Sequence, residues 1–247
     1  MSRISPIPIN ENITIGLIPA RGGSKSIPLK NIAPIAGQPM IAYVIAAGGK
    51  SRHLSNVICS TDHGAIASIC REHGVEVLER PPYLGEDDTP VTAVINHALD
   101  TLAARDGYLP GMVALLQPTS PFLLPGHVDA CIEALRASPE ADSAQTVTTV
   151  FHNAHAFNQR VVKDGLVRFR FPEERRAAYN KQRKPKHYVF GNLVVIRTRA
   201  FLARQECFGE VSVPIEIPRV YSLDVDTVED LDYADYLVST GRIEPLR

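Results

Sequence analysis

As far as Val150, short β-rich apolar runs alternate with segments whose apolar residues recur at helical spacing. Ile13 to Pro19, Val57 to Thr61, Val75 to Leu78, Met112 to Gln117 and Ser143 to Val150 read as strands. Between them, helices are expected from about Pro39, over Gly64 to His73, over Thr89 to Ala104 and from about Gly126 to Ala137. Strands separated by helices of this length predict an α/β fold built on a doubly wound, mostly parallel sheet. The pattern breaks over residues 150–188, where Arg, Lys, Asn and aromatic residues follow no sustained period, which predicts an insertion within a single domain spanning 1–247. Strand character returns at Val189 to Ile196 and near Val211 to Ile217. Thr227 to Leu237 again has helical spacing, with Thr227 as N-cap and Glu229 and Asp230 in the first turn.

Composition narrows the classes. With 45% hydrophobic residues in a chain of 247, a sizeable core can form. Lys+Arg number 26 against 27 Asp+Glu, so no net basic field would hold the chain to nucleic acid or an anionic membrane, and any cationic site must be local. Cys59, Cys70, Cys131 and Cys207 form no CxxC pair, which argues against a zinc ribbon or disulfide framework and suggests a reducing compartment. No apolar run approaches the roughly 20 residues needed to span a bilayer. The polar start Ser2 to Asn12 lacks the apolar stretch of a signal peptide, so a cytoplasmic location is expected.

Three polar clusters follow predicted strands, the end of a parallel sheet at which ligands bind. The first is the turn Ala20-Arg21-Gly22-Gly23-Ser24-Lys25, continued by Lys30 and Asn31. Glycines let backbone N–H groups approach an anion closely, and three nearby cations suit a group with several negative charges, a triphosphate foremost. Neither of two better-known phosphate motifs is present: the Gly49-Lys50-Ser51 run has Val44 where a Walker A glycine belongs, and no GxGxxG follows the first strand. The second cluster, Gln117-Pro118-Thr119-Ser120-Pro121, reads as a turn, or as an amide offered to a sugar or nucleotide. In the third, Asp224 and Asp226 are two apart in an extended segment, so both carboxylates share one side and suit a hard divalent cation such as Mg2+, unless one only caps the next helix. The histidines form no zinc pattern. Arg168, Arg170, Arg175, Arg176, Lys181, Arg183, Lys184 and Lys186, mixed with Phe169, Phe171 and Tyr179, leave a solvated face, a subunit contact and an anion site all open.

The ordered motifs IPARGGSKSIPLKN, CSTDHGAIA, ERPPYL with a following DDT, LLQPTSP and DVDTVEDL, from about Thr14 to Leu237, resemble those of the acylneuraminate cytidylyltransferases. This family comprises the CMP-sialic acid synthetases and relatives that activate other nonulosonic or octulosonic acids. The resemblance implies a Rossmann-like nucleotidyltransferase that joins CMP from CTP to a 2-keto-3-deoxy sugar acid and releases pyrophosphate. On the matching positions it implies that Ala20, Arg21, Gly22, Gly23, Ser24, Lys25 and Lys30 hold the nucleotide phosphates, with Asn31, Arg80 and Thr92 near the cytosine and ribose. Gln117, Thr119, Ser120, Lys181, Gly191 and Asn192 would face the acceptor, and Asp224 and Asp226 would bind Mg2+. Arg21, Lys25 and Asp226 would serve catalysis, Asp226 also as acceptor of the hydroxyl proton. The insertion would reach into the second subunit of a homodimer.

Departures fall on the acceptor side. Where the family writes QPTSPLR, Phe122 and Leu123 follow Pro121, so a customary arginine is replaced by an apolar residue. RQDLP becomes Lys181-Gln182-Arg183-Lys184-Pro185, and NGAIY becomes Gly191-Asn192-Leu193-Val194-Val195. Two other readings stand beside the first: a nucleotide-sugar glycosyltransferase using Asp224-Val225-Asp226 as a DxD motif, and a non-catalytic nucleotide-binding homologue. The cation-rich opening turn and the late position of the aspartates argue against the former; retention of Lys25 and both aspartates argues against the latter.

Overall fold

The computed structural model describes residues 7–178 and 180–244, without the side chain of Lys181. Tyr179 and the Lys181 side chain, both expected to contribute to the insertion, therefore lie outside the described residues. The chain runs β1 (Ile9–Pro19), the small hairpin β2 (Pro34–Ile35) and β3 (Gln38–Pro39), α1 (Met40–Gly49), β4 (Asn56–Thr61), α2 (Gly64–Glu72), β5 (Glu76–Glu79), α3 (Val91–Asp106) and β6 (Leu109–Leu115). It continues through α4 (Pro125–Ala137), β7 (Ser143–Thr149), β8 (Arg160–Lys163), β9 (Leu166–Phe169), α5 (Pro172–Ala177), β10 (Tyr188–Arg197), α6 (Thr198–Arg204), β11 (Ser212–Glu216) and α7 (Val228–Ser239).

Seven strands form one sheet in the order β11-β7-β10-β6-β1-β4-β5. All are mutually parallel except β10, which is antiparallel to β6 and β7. The exception has a simple cause. β7 ends at Thr149 at the carboxyl rim, and the excursion that follows re-enters the sheet at Tyr188, directly opposite Thr149. A chain that re-enters at the rim it left must run back antiparallel, whereas the crossovers through α1, α2, α3 and α4 keep consecutive strands parallel. The excursion holds the hairpin β8–β9, α5 and short 3-10 turns. At its other end the sheet bulges: the register of β1 against β6 shifts between Asn10 and Thr14, and a Cβ on Gly111 would lie 2.6 Å from the Cα of Glu11.

Helices cover both faces, as a buried parallel sheet requires. Ile41 and Val44 of α1, Ile66 and Cys70 of α2, and Val128 and Ile132 of α4 fill one side. Ile95, Leu99 and Leu102 of α3 and Phe201 of α6 fill the other. A third cluster joins α7, through Ala234 and Leu237, to Ile27, Met40, Phe122 and Val225. This small core seats the opening loop through Ile27 and the two-aspartate segment through Val225. Phe122 belongs to it and Leu123 is fully buried in the first core, so the two residues standing at the family's Leu-Arg are packing residues. Among the described residues no helix is long and apolar enough to cross a membrane.

Candidate active site

The chain passes outward from β1 to β4 and β5, then returns to lay β6 on the other side of β1. This reversal opens a crevice beyond the carboxyl ends of β1 and β6. A cleft of about 610 Å3 lies there, lined by Arg21, Gly23, Ser24, Lys25, Lys30 and Asn31 from the opening loop, Arg80 from the turn after β5, and Gln117 and Thr119 from the turn after β6. A second cleft of about 610 Å3 runs along α1, but Lys50 and His73 are the basic residues in its lining, so the chemistry concentrates in the first.

The loop is held from beneath and at its ends. Ala20 is fully buried and donates its N–H to the Ser60 carbonyl at 3.0 Å. Gly22 donates to Asp62 Oδ1 at 2.8 Å, and a Cβ at this glycine would come 2.6 Å from the His63 ring, so only glycine fits without displacing that histidine. Asn31 closes the loop by donating its side-chain amide to the Arg21 carbonyl at 2.8 Å.

Four cations face the cleft. Arg21 and Lys25 both pair with Asp87, Lys25 at 2.7 Å, and these hydrogen bonds, Lys25's first, hold the Asp87 carboxyl below its usual range. Lys30 pairs with Asp226 at 2.8 Å. Arg80 is only 7% exposed, and its hydrogen bonds go to neutral oxygens: the Ser60 carbonyl at 2.8 Å, the Leu84 carbonyl at 3.2 Å and the Ser60 hydroxyl at 3.3 Å. Burial lowers its pKa, with the charge of Asp62 opposing. A guanidinium buried among neutral acceptors beside an open cleft favours an incoming anion.

Asp224 and Asp226 stand at the rim of this cleft. Between them Val225 is fully buried and donates its N–H to the Thr119 carbonyl at 2.8 Å, which ties the acidic segment to the turn after β6. Partial burial pushes the Asp224 carboxyl up; a hydrogen bond with Thr119 pulls it down, and the charge of Asp226 adds to the rise. Two like-charged carboxylates on one extended segment, one of them discouraged from ionising, suit a divalent cation. No group of three or more His, Cys, Asp or Glu side chains able to hold a metal occurs among the described residues. Mg2+ commonly takes one or two carboxylates and completes its shell with water and substrate phosphates, a role open to the Asp224 and Asp226 pair.

Other candidates lie away from the cleft wall. Thr92 is half-buried in the first turn of α3, next to Val91, which does line the cleft. Ser120 is 2% exposed and closes the turn after β6 with its backbone. Gly191 sits where a Cβ would meet Thr146 at 2.6 Å. Asn192 is fully buried: its amide donates to the Tyr221 carbonyl at 2.8 Å and contacts His127 Nδ1 at 3.2 Å, while its oxygen accepts from Thr146 at 3.0 Å. These partners lock the turn at Tyr221 to β10. Cleft residues not expected from sequence include Asp87, Thr89, Ser26, Val91 and Val94; the DDT run contains the first two, but their relation to Arg21 and Lys25 is set by tertiary structure.

Comparison with known proteins agrees with this geometry. The family model described as Cytidylyltransferase matches residues 15–235. N-acylneuraminate cytidylyltransferase of Escherichia coli O18:K1:H7 is 28% identical over 220 residues, covering 89% of this chain and 51% of that protein. The chain thus spans about half the length of this relative. CMP-N,N'-diacetyllegionaminic acid synthase of Legionella pneumophila is 27% identical over 234 residues, 92% of this chain and 97% of that one. The fold is shared with a CMP:2-keto-3-deoxy-manno-octonic acid synthetase solved with CTP, at TM-score 0.65 and 16% identity over 93% of this chain and 99% of that chain. It is shared too with a 4-diphosphocytidyl-2C-methyl-D-erythritol synthase of Anaerococcus prevotii, at TM-score 0.62 and 14% identity over 92% of this chain and 99% of that chain. With a family model spanning both the cation loop and the acidic segment, the chain belongs to the cytidylyltransferase family.

Proposed function

We propose that the protein transfers CMP from CTP to the anomeric hydroxyl of a 2-keto-3-deoxy sugar acid of the sialic, legionaminic or related kind and releases pyrophosphate. The observation that carries this reading is the convergence of Arg21, Lys25, Lys30 and Arg80 on one cleft whose rim bears Asp224 and Asp226. The relatives named for N-acylneuraminate and for N,N'-diacetyllegionaminic acid support the acceptor class.

In this reading the loop cations take the triphosphate in exchange for Asp87, and Asn31, Arg80 and Thr92 lie on the nucleoside side. The acceptor hydroxyl attacks the α-phosphorus in line with the departing pyrophosphate. Catalysis therefore rests on positioning and on neutralising charge that develops on phosphate oxygens. Asp224 and Asp226 would hold Mg2+, which supplies further neutralisation when bound. Lys30 released from Asp226 turns to phosphate, and the second carboxylate oxygen of Asp226 accepts the hydroxyl proton. Gln117 and Thr119 orient the acceptor. The excursion between β7 and β10 pairs with a second subunit: its hairpin exposes Val162 at 74% and Val167 at 65%, cross-strand neighbours that form an apolar surface.

The test is pyrophosphate release from each ribonucleoside triphosphate with a panel of 2-keto-3-deoxy sugar acids and Mg2+; consumption of a preformed nucleotide sugar instead would replace transfer of CMP by glycosyl transfer. Lys25→Ala and Asp226→Asn are expected to cut kcat by about a hundredfold or more, since one well-placed charge at about 4 Å contributes about 4 kcal/mol at an effective dielectric of about 20. Melting temperatures should stay near the parent value, because both side chains are solvent-exposed. A parental rate in either variant removes that residue from the mechanism.

A further inference from the structure

Two adjoining cavities of about 740 and 280 Å3 open where β7 ends and β10 begins, on the same rim of the sheet as the nucleotide cleft. Their lining carries Lys184, Lys186, Arg219 and the imidazoles of His152, His155 and His187, and no carboxylate among the described residues. The Arg219 guanidinium lies 3.7 Å from the Phe151 ring centroid, and no carboxylate pairs with it or with Lys186 among the described residues. His187 stacks on His155 with ring centroids 4.1 Å apart and planes 9° apart. His155 Nδ1 accepts the Phe157 N–H at 3.1 Å while its Nε2 faces the Pro185 carbonyl at 3.0 Å, so both its nitrogens are engaged and its ring is a fixed plate. The nitrogens of His187 have no hydrogen-bond partner among the described residues. A wall of cations and open donors without acids is complementary to an anion.

Its position says which anion. The turn Arg219–Ser222 leads directly into the acidic segment, and it is fixed by the Asn192 bond to Tyr221 and by Val225 on Thr119. Ser222, which lines the larger cavity, is two residues from Asp224, hence within about 7 Å along the backbone. In a 2-keto sugar acid the carboxylate is bonded to the carbon that bears the attacking hydroxyl. Its cation must then stand one short molecular fragment from the metal-binding carboxylates, while the remaining carbons need a cavity beyond.

Resting on the reaction proposed above, we propose that Arg219 and Lys186 hold the acceptor carboxylate, with His187 as a hydrogen-bond donor beside them and the sugar body in the cavity over β7 and β10. This assigns to Arg219 and Lys186 the recognition that Leu123, buried in the core, cannot supply. With the acid that the parent protein uses best, Arg219→Gln and Lys186→Gln should each raise the acceptor KM at least about tenfold, as loss of a charge-assisted bond does. The KM for CTP should stay within about twofold, and Arg219→Lys should recover part of the loss. An acceptor whose carboxylate is replaced by a carboxamide should bind the parent poorly, and Arg219→Gln no worse than the parent. Unchanged acceptor KM in both variants, or an equal penalty for the carboxamide in parent and Arg219→Gln, overturns the assignment. If no acid supports pyrophosphate release, the reaction reading fails, and calorimetry of the free acids decides the pocket: binding lost in Arg219→Gln supports it, while binding that is absent in the parent or equal in both overturns it.

Discussion

Asp87 holds both Arg21 and Lys25, so any phosphate drawn to those cations competes with its carboxylate. Both pairs face solvent and are only weakly held, so the carboxylate yields to phosphate at small cost. Asp87→Asn should therefore tighten CTP binding about two- to tenfold in calorimetry with divalent ions chelated. Weaker binding would mean that Asp87 positions the cations instead. Arg21, Lys25 and Lys30 could be singled out from sequence because they crowd one turn after one strand. Asp87 could not: 66 residues separate it from Arg21, and only the packing of the segment after β5 against the opening loop brings them together. Asn192 illustrates the converse. Its chemistry suits a sugar, yet a bulge in β10 between Phe190 and Val194 turns it inward to Thr146 and Tyr221.

Among elements, the excursion between β7 and β10 departs furthest from what periodicity can read. Its strands are four residues each and exposed along almost their whole length, so neither carries the half-buried alternation that marks a strand. Exposed valines on a lone hairpin are explained by a covering partner, and the proposed homodimer supplies one. Val162→Asp together with Val167→Asp should shift the mass in size-exclusion chromatography with light scattering from dimer to monomer; a monomeric parent, or a dimeric double variant, would take this hairpin out of the subunit contact. The core elements were legible for the opposite reason. β1, β4 and β6 bury continuous apolar runs, and α7 announces itself with the box in which Thr227 accepts from the Asp230 N–H and Asp230 from the Thr227 N–H. The seven-residue α6 is too short to show a period.

For the whole molecule, the doubly wound, mostly parallel sheet follows from the alternation of elements, while the reversal of β10 follows from where the excursion re-enters. The fold also carries a titration. His127 is 9% exposed beneath the turn at Tyr221, and burial pulls its pKa down to about 4 from the ordinary 6.5. The unfolded chain therefore binds the extra proton first: stability is fully present above the unfolded pKa of about 6.5 and falls as pH drops from there toward 4, below which no more is lost. Urea unfolding should show the parent losing stability between pH 7 and 5 more steeply than His127→Gln, although the variant starts lower; equal slopes would assign the loss to other groups.

Because the excursion leaves and rejoins the sheet at one rim, between the neighbouring strands β7 and β10, it is a graftable cassette. Its length and charge can change without altering the direction of the remaining strands, so under the proposed reaction a lineage could retune the acceptor side and leave the cation loop as it stands.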